Sequence, residues 1–193
     1  MPDFNRRSLI YIAVFGTFWG LLEATLGTVL HALRIPITGS FISAAGLIVV
    51  LIARVFNNVR GSSFLMALIA AAIKMVGFST VKLGPFIGIV MEGVLVEASL
   101  SVVGIGRTGF FLSGLLVGLY PLIQNIITKT ILFGTNFVPV ILDLARGFSE
   151  SVGLPLGWWI LIVYVILHLS IGLLAAVAAM LLKKRIQTAL NDG

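Results

Sequence analysis

The sequence predicts an all-α protein: a polytopic membrane bundle of about six transmembrane helices, filling one integral membrane domain over residues 1–193. Three observations predict it. Of the 193 residues, 59% are hydrophobic and only 10% are charged, whereas soluble domains are about 25% charged. The mean hydropathy is +1.15. The apolar residues also fall into long runs separated by short turns, and a spanning helix needs roughly 20 such residues.

The first run extends from about Ser8 to Ala32. Arg6 and Arg7 precede it, but it is too long for a secretory leader and shows no clear cleavage site, so it reads as a span. The second runs from about Thr38 to Phe56 and the third, a short one, from Ser62 to Phe78. The fourth covers Leu83 to Gly104. It opens on Lys82-Leu83-Gly84-Pro85, where glycine and proline mark a helix start. The fifth covers Thr108 to Phe133 and contains Pro121, a kink signal. The segment from Gly134 to Pro155 mixes Pro139, Asp143, Arg146 and Glu150 with an apolar stripe of Val140, Ile141, Leu144 and Phe148. That pattern suits a short helix at the membrane surface. The sixth span runs from Leu156 to Leu182.

Six spans put both termini on one side. That side would carry Arg6, Arg7, Arg54, Arg60, Arg107, Lys183, Lys184 and Arg185, and the other Arg34, Lys82 and Arg146. Basic residues collect on the cytoplasmic side, so both termini are expected in the cytoplasm. This distribution accounts for the net charge of +6 without nucleic acid as a partner.

Ionisable side chains inside a span are costly and usually face a protein interior or a wet cavity. Glu23, Lys74, Glu92 and Lys129, with His31 and Asn125, share the outer half of the expected bilayer. Lys82 and Trp158 sit at the outer ends of their helices. Together these residues predict a polar pocket open to the outside, with the 134–155 segment as its lid. The competing reading is that the charges only pair to hold the bundle together. Glu97 lies deeper and suits helix packing as well as it suits a functional role, and His168 reads as a hydrogen-bonded packing histidine.

The first span has a small-residue stripe of Ala13, Gly16, Gly20 and Ala24, which allows close helix contact with a partner or within the bundle. Tyr11, Phe15 and Trp19 fall toward the other side, suited to lipid. No cysteine, phosphate-binding Gly-x-x-x-x-Gly-Lys-Ser/Thr loop, His-Glu-x-x-His or catalytic constellation is found in the sequence. It therefore reads as a non-enzyme with no cofactor and no metal site.

With six spans, both ends inside and the Gly16/Gly20/Ala24 stripe, the whole chain resembles the substrate-binding (S) component of energy-coupling factor transporters, prokaryotic importers of vitamins and related micronutrients. The resemblance implies a multi-pass protein of the prokaryotic plasma membrane. It would bind a small vitamin-like molecule near the outer face through the polar layer. A transmembrane coupling subunit would dock on the small-residue stripe, and two cytoplasmic ATPases would supply energy. A Gly20→Leu substitution should then abolish uptake and spare ligand binding. The alternatives are a self-sufficient small transporter or channel, and a membrane scaffold subunit that binds no small molecule.

Overall fold

The computed structural model describes residues 4–33, 37–76, 83–133, 137–153, 155 and 157–191, with the side chains of His31, Leu83, Lys129, Ile131, Leu132, Phe133, Phe137, Leu190 and Asn191 outside that description. Seven helices are present among the described residues, and no strand. They are α1 (Arg6–Ala32), α2 (Thr38–Phe56), α3 (Ser62–Val76), α4 (Leu83–Val103), α5 (Arg107–Phe133), α6 (Phe137–Val152) and α7 (Trp158–Asn191). α1, α2, α4, α5 and α7 are long and apolar enough to cross a membrane; α3, with 15 residues, is shorter.

Local chemistry sets the helix ends. Asn5 caps α1 by accepting the Ser8 N–H on its side-chain oxygen at 2.8 Å, which satisfies one of the free amides of a first turn. α4 closes on Gly104, whose φ of +87° suits glycine and whose N–H donates to the Leu100 carbonyl at 2.9 Å. α5 runs through Pro121 as one helix. α7 is 34 residues long and spans about 51 Å at 1.5 Å per residue. Its helix goes on nine residues beyond the apolar run that ends at Leu182, through Lys183, Lys184 and Arg185 to Asn191.

α2 is the hub. It packs against α1, α3, α4, α5 and α7, whereas α1 touches α2 and α3 alone among the described elements. The core follows this arrangement, with Leu47, Val50, Leu51 and Ala53 of α2 fully or almost fully buried beside Met66, Ala67, Ala70 and Ala71 of α3. Small residues bring the helices together. At Gly172 of α7 an added Cβ would lie 2.7 Å from the Cα of Gly118 on α5, and at Gly114 it would lie 2.9 Å from the Ala176 Cβ. The α5–α7 seam therefore rests on backbone contact of the small-xxx-small kind.

The stripe on α1 serves the same purpose. A Cβ on Gly16 would lie 3.0 Å from Ile69, and one on Gly20 2.9 Å from Ile73 and 3.0 Å from the Ala70 Cα, all on α3. Gly16 and Gly20 are buried within the chain, while Ala13 is exposed and Ala24 half-buried. Trp19 corrects the expectation of a lipid-facing side chain: it is 1% exposed and its indole lies over Gly46 of α2. Gly46 leaves a groove where a side chain would stand, and the large ring fills it. Tyr11 and Phe15 lie on the flank of the same seam and stack on Phe56, with centroids 6.0 and 6.2 Å away. The lipid-facing side of α1 is instead Leu9, Ile10, Val14, Phe18 and Leu21, each about half exposed.

Candidate functional site

α1, α3 and α5 run one way through the bundle, and α2, α4 and α7 run the other. Pairs of contacts along each seam give this alternation: Gly16–Ile69 with Gly20–Ile73, Ser63–Glu97 with Ala67–Gly93, Ser43–Glu92 with Arg54–Glu97, Gly88–Gln124 with Leu100–Gly109, and Gly114–Ala176 with Gly118–His168. One end therefore holds the start of α1, the α2–α3 and α4–α5 turns and the end of α7. The opposite end holds the starts of α2, α4 and α7.

The polar layer gathers toward that opposite end. Lys74, near the last turn of α3, pairs with the Glu23 carboxylate of α1 at 3.7 Å and also donates to the Glu23 carbonyl oxygen. Both side chains are largely enclosed, 15% and 7% exposed. Glu92 of α4 is buried and accepts a hydrogen bond from the Ser43 hydroxyl of α2 on Oε1. Its Oε2 has no hydrogen-bond partner among the described residues, and neither has the buried Ser40 hydroxyl a turn away on α2. Glu92 is close enough to Glu23 and to the Tyr120 hydroxyl of α5 for the charges to interact. Gln124 of α5 donates from Nε2 to the Gly84 carbonyl at 2.6 Å, tying α5 to the start of α4. An added Cβ on Gly88 would meet that same amide at 2.8 Å.

The structure thus brings together three of the expected site residues: Glu23, Lys74 and Glu92. Asn125 does not join them. It is exposed, and its amide folds back on the Pro121 carbonyl at 3.1 Å. Its neighbour Gln124, one position round the helix, points inward instead. Trp158, at the start of α7, is 79% exposed. Lys82 and the side chains of His31 and Lys129 lie outside the described residues.

Sequence reasoning missed Ser43 and Tyr120, which only the fold sets beside Glu92, and the buried Ser40 a turn before Ser43 on α2. α6 does carry the expected stripe, with Val140 and Phe148 buried and Ile141 and Leu144 half-buried. It packs on α5 and α7, however, and among the described residues touches neither α1, α3 nor α4. A lid over the Glu23–Lys74 side of the layer is not what this helix forms.

A second polar cluster lies at the other end. Arg54 of α2, 1% exposed, pairs with Glu97 of α4 at 3.3 Å and donates to Ser62 and to the Val59 carbonyl. Glu97 also accepts the Ser63 N–H at 3.0 Å and the Ser101 hydroxyl at 3.1 Å. It thereby caps α3 and fixes the α2–α3 turn against α4. His168 is buried and donates from Nδ1 to the Tyr164 carbonyl at 2.8 Å. Among the described residues, no group of three or more metal-ligating side chains converges.

Fold and site together define an all-helical protein of the multi-pass membrane type, with a buried polar layer in an apolar bundle. Neither a protein-family model, a curated protein nor a solved structure matches the chain.

Proposed function

We propose that this chain captures a small water-soluble molecule in the Glu23–Lys74–Glu92 layer, as the substrate-binding component of an energy-coupling factor importer. In this reading six helices span the plasma membrane of a prokaryotic cell, with both termini in the cytoplasm. Arg54 is consumed by Glu97, yet seven of the eight basic residues expected inside remain against three outside, so the positive-inside argument still points the same way. A coupling subunit and two ATPases energise release. The subunit meets the outward face of α1 around Ala13, Val14 and Phe18, because Gly16 and Gly20 are enclosed by α3.

The observation that carries this reading is the orphaned Glu92 Oε2. A carboxylate oxygen buried in an apolar bundle without a donor is expensive. A ligand bearing an N–H or O–H group would satisfy it and Ser40 together. Two carboxylates beside one ammonium suit a polar or zwitterionic molecule. A second reading, the scaffold, is favoured by the Lys74–Glu23 pair, which already neutralises half of the layer.

The test is native mass spectrometry of the detergent-purified chain, with identification of any small molecule released on denaturation. A vitamin-like compound at near one-to-one stoichiometry is expected, and Glu92→Gln should weaken its retention about tenfold or more while the protein stays folded. An empty protein whose melting temperature no vitamin or precursor raises would transfer the assignment to the scaffold.

A further inference from the structure

At the end of the bundle opposite the polar layer, α5 begins beside the last third of α7. Between them is a cleft of about 570 Å³, within the roughly 300–1,000 Å³ range of small-ligand sites. Its walls carry three cations, Arg107, Lys183 and Lys184, together with Gln187, and no carboxylate. Among the described residues no ion pair neutralises any of the three. Lys183 is not splayed into solvent: its ammonium is held 5.7 Å above the ring of Phe110, which is fully buried.

The lower wall of the cleft is apolar and open sideways. Phe111 is 43% exposed and Leu181 59% exposed, continuous with the outer surface of the bundle. Lys183 lies 25 residues along α7 from Trp158, which is about 38 Å at 1.5 Å per residue. The hydrocarbon core is about 30 Å thick, and about 40–45 Å with its headgroups. With Trp158 at one interface, Lys183 therefore reaches the headgroup layer of the other. A basic recess between helices at that depth has the chemistry of an anionic lipid headgroup site.

We propose that this cleft binds one anionic phospholipid. The phosphate sits among Arg107, Lys183 and Lys184, and an acyl chain runs down over Phe111 and Leu181. A soluble phosphate would match the same cations but leave the apolar wall unused, and this favours the lipid as occupant. The inference rests on the membrane character of the bundle and is independent of what the polar layer binds.

The test uses the full chain in mild detergent, titrated with phosphatidylglycerol or phosphatidylcholine and read by native mass spectrometry. One phosphatidylglycerol should be retained preferentially. Lys183→Gln/Lys184→Gln should weaken it roughly 30-fold, at about one surface lysine's attraction each. Arg107→Gln gives an independent loss, and Lys183→Arg/Lys184→Arg should keep binding. Arg60→Gln, a basic residue outside the cleft, should have no effect. Retention by the glutamine pair equal to that of the unaltered chain overturns the proposal. So does an equal loss in Arg60→Gln, which would mean diffuse attraction. Displacement of the lipid by millimolar inorganic phosphate would make the cleft a soluble-anion site and overturn the lipid assignment.

Discussion

Arg54 of α2 and Glu97 of α4, 43 residues apart in the chain, are joined at 3.3 Å with 2% and 15% of their side chains exposed. Removing one member of a buried pair strands the other charge. Arg54→Met should therefore destabilise the protein by about 3–5 kcal/mol. The double change Arg54→Met/Glu97→Leu should recover a good part of that loss. Thermal melting of the purified single and double variants checks it; a double variant that melts below Arg54→Met would sink the idea.

Charge reversal separates the two readings of the polar layer. Glu23→Lys/Lys74→Glu keeps an opposite pair between α1 and α3 but moves each charge to the other helix. If the pair only holds the bundle together, the double variant should melt near the unaltered protein and neither should retain a solute. If the layer binds a solute, the same variant should fold and lose retention of the co-purified molecule.

The tight α1–α3 seam changes what Gly20→Leu reports. Its side chain would collide with Ile73 and Ala70, and overpacking a close contact costs about 1–3 kcal/mol. Stability should fall and ligand binding with it, contrary to the selective loss of uptake that the sequence suggests. Ala13→Leu, on the exposed face, should leave melting and binding unchanged. An uptake defect in Ala13→Leu alone would mark that face as the docking surface.

Trp19 offers an optical readout of the α1–α2 seam. In a Trp158→Phe/Trp159→Phe background its emission should be blue, as expected of a ring that is 1% exposed. Gly46→Ala should push the indole out of the groove toward the acyl chains and increase its quenching by brominated lipid. Unchanged quenching would mean that the ring is not seated on Gly46.

The chain has no cysteine, so single cysteines report sidedness without a background. Arg60→Cys lies at the α2–α3 turn and Asp143→Cys on α6, at opposite ends of the bundle. In intact cells an impermeant maleimide should label position 143 and miss position 60. Labelling of position 60 alone would invert the orientation.

Most helices were legible because twenty-residue apolar runs have few other fates. The second span is bounded identically by hydropathy and by backbone geometry, Thr38–Phe56. What hydropathy cannot mark is where a helix leaves the membrane, so the run ending at Leu182 gave no sign that α7 continues to Asn191. In the site, Glu23, Lys74 and Glu92 stood out as charges in apolar surroundings. Their partners did not. Whether Gln124 or Asn125 turns inward depends on about 100° of helix rotation, set by the contact with Gly84. Arg54 resembled one more cytoplasmic cation because its burial depends on Glu97, two helices further on. Trp19 was misplaced because the groove that admits it is made by a glycine in a different helix.

The central position of α2 also has a meaning in time. Ser43 emerges from the ribosome 49 residues before Glu92, the group it bonds. At roughly 5–20 residues per second that is a wait of about 2–10 seconds, and α7, which closes α2 from another side, is made after the other described helices. α2 thus meets lipid ahead of α4, α5 and α7, which later enclose it, and Ser43 then lacks its partner on α4. Newborn α2 must either linger at the insertion machinery or enter the bilayer with its hydroxyls turned back on its own carbonyls. Chains halted before α4 is complete should accordingly be preferred prey for membrane proteases.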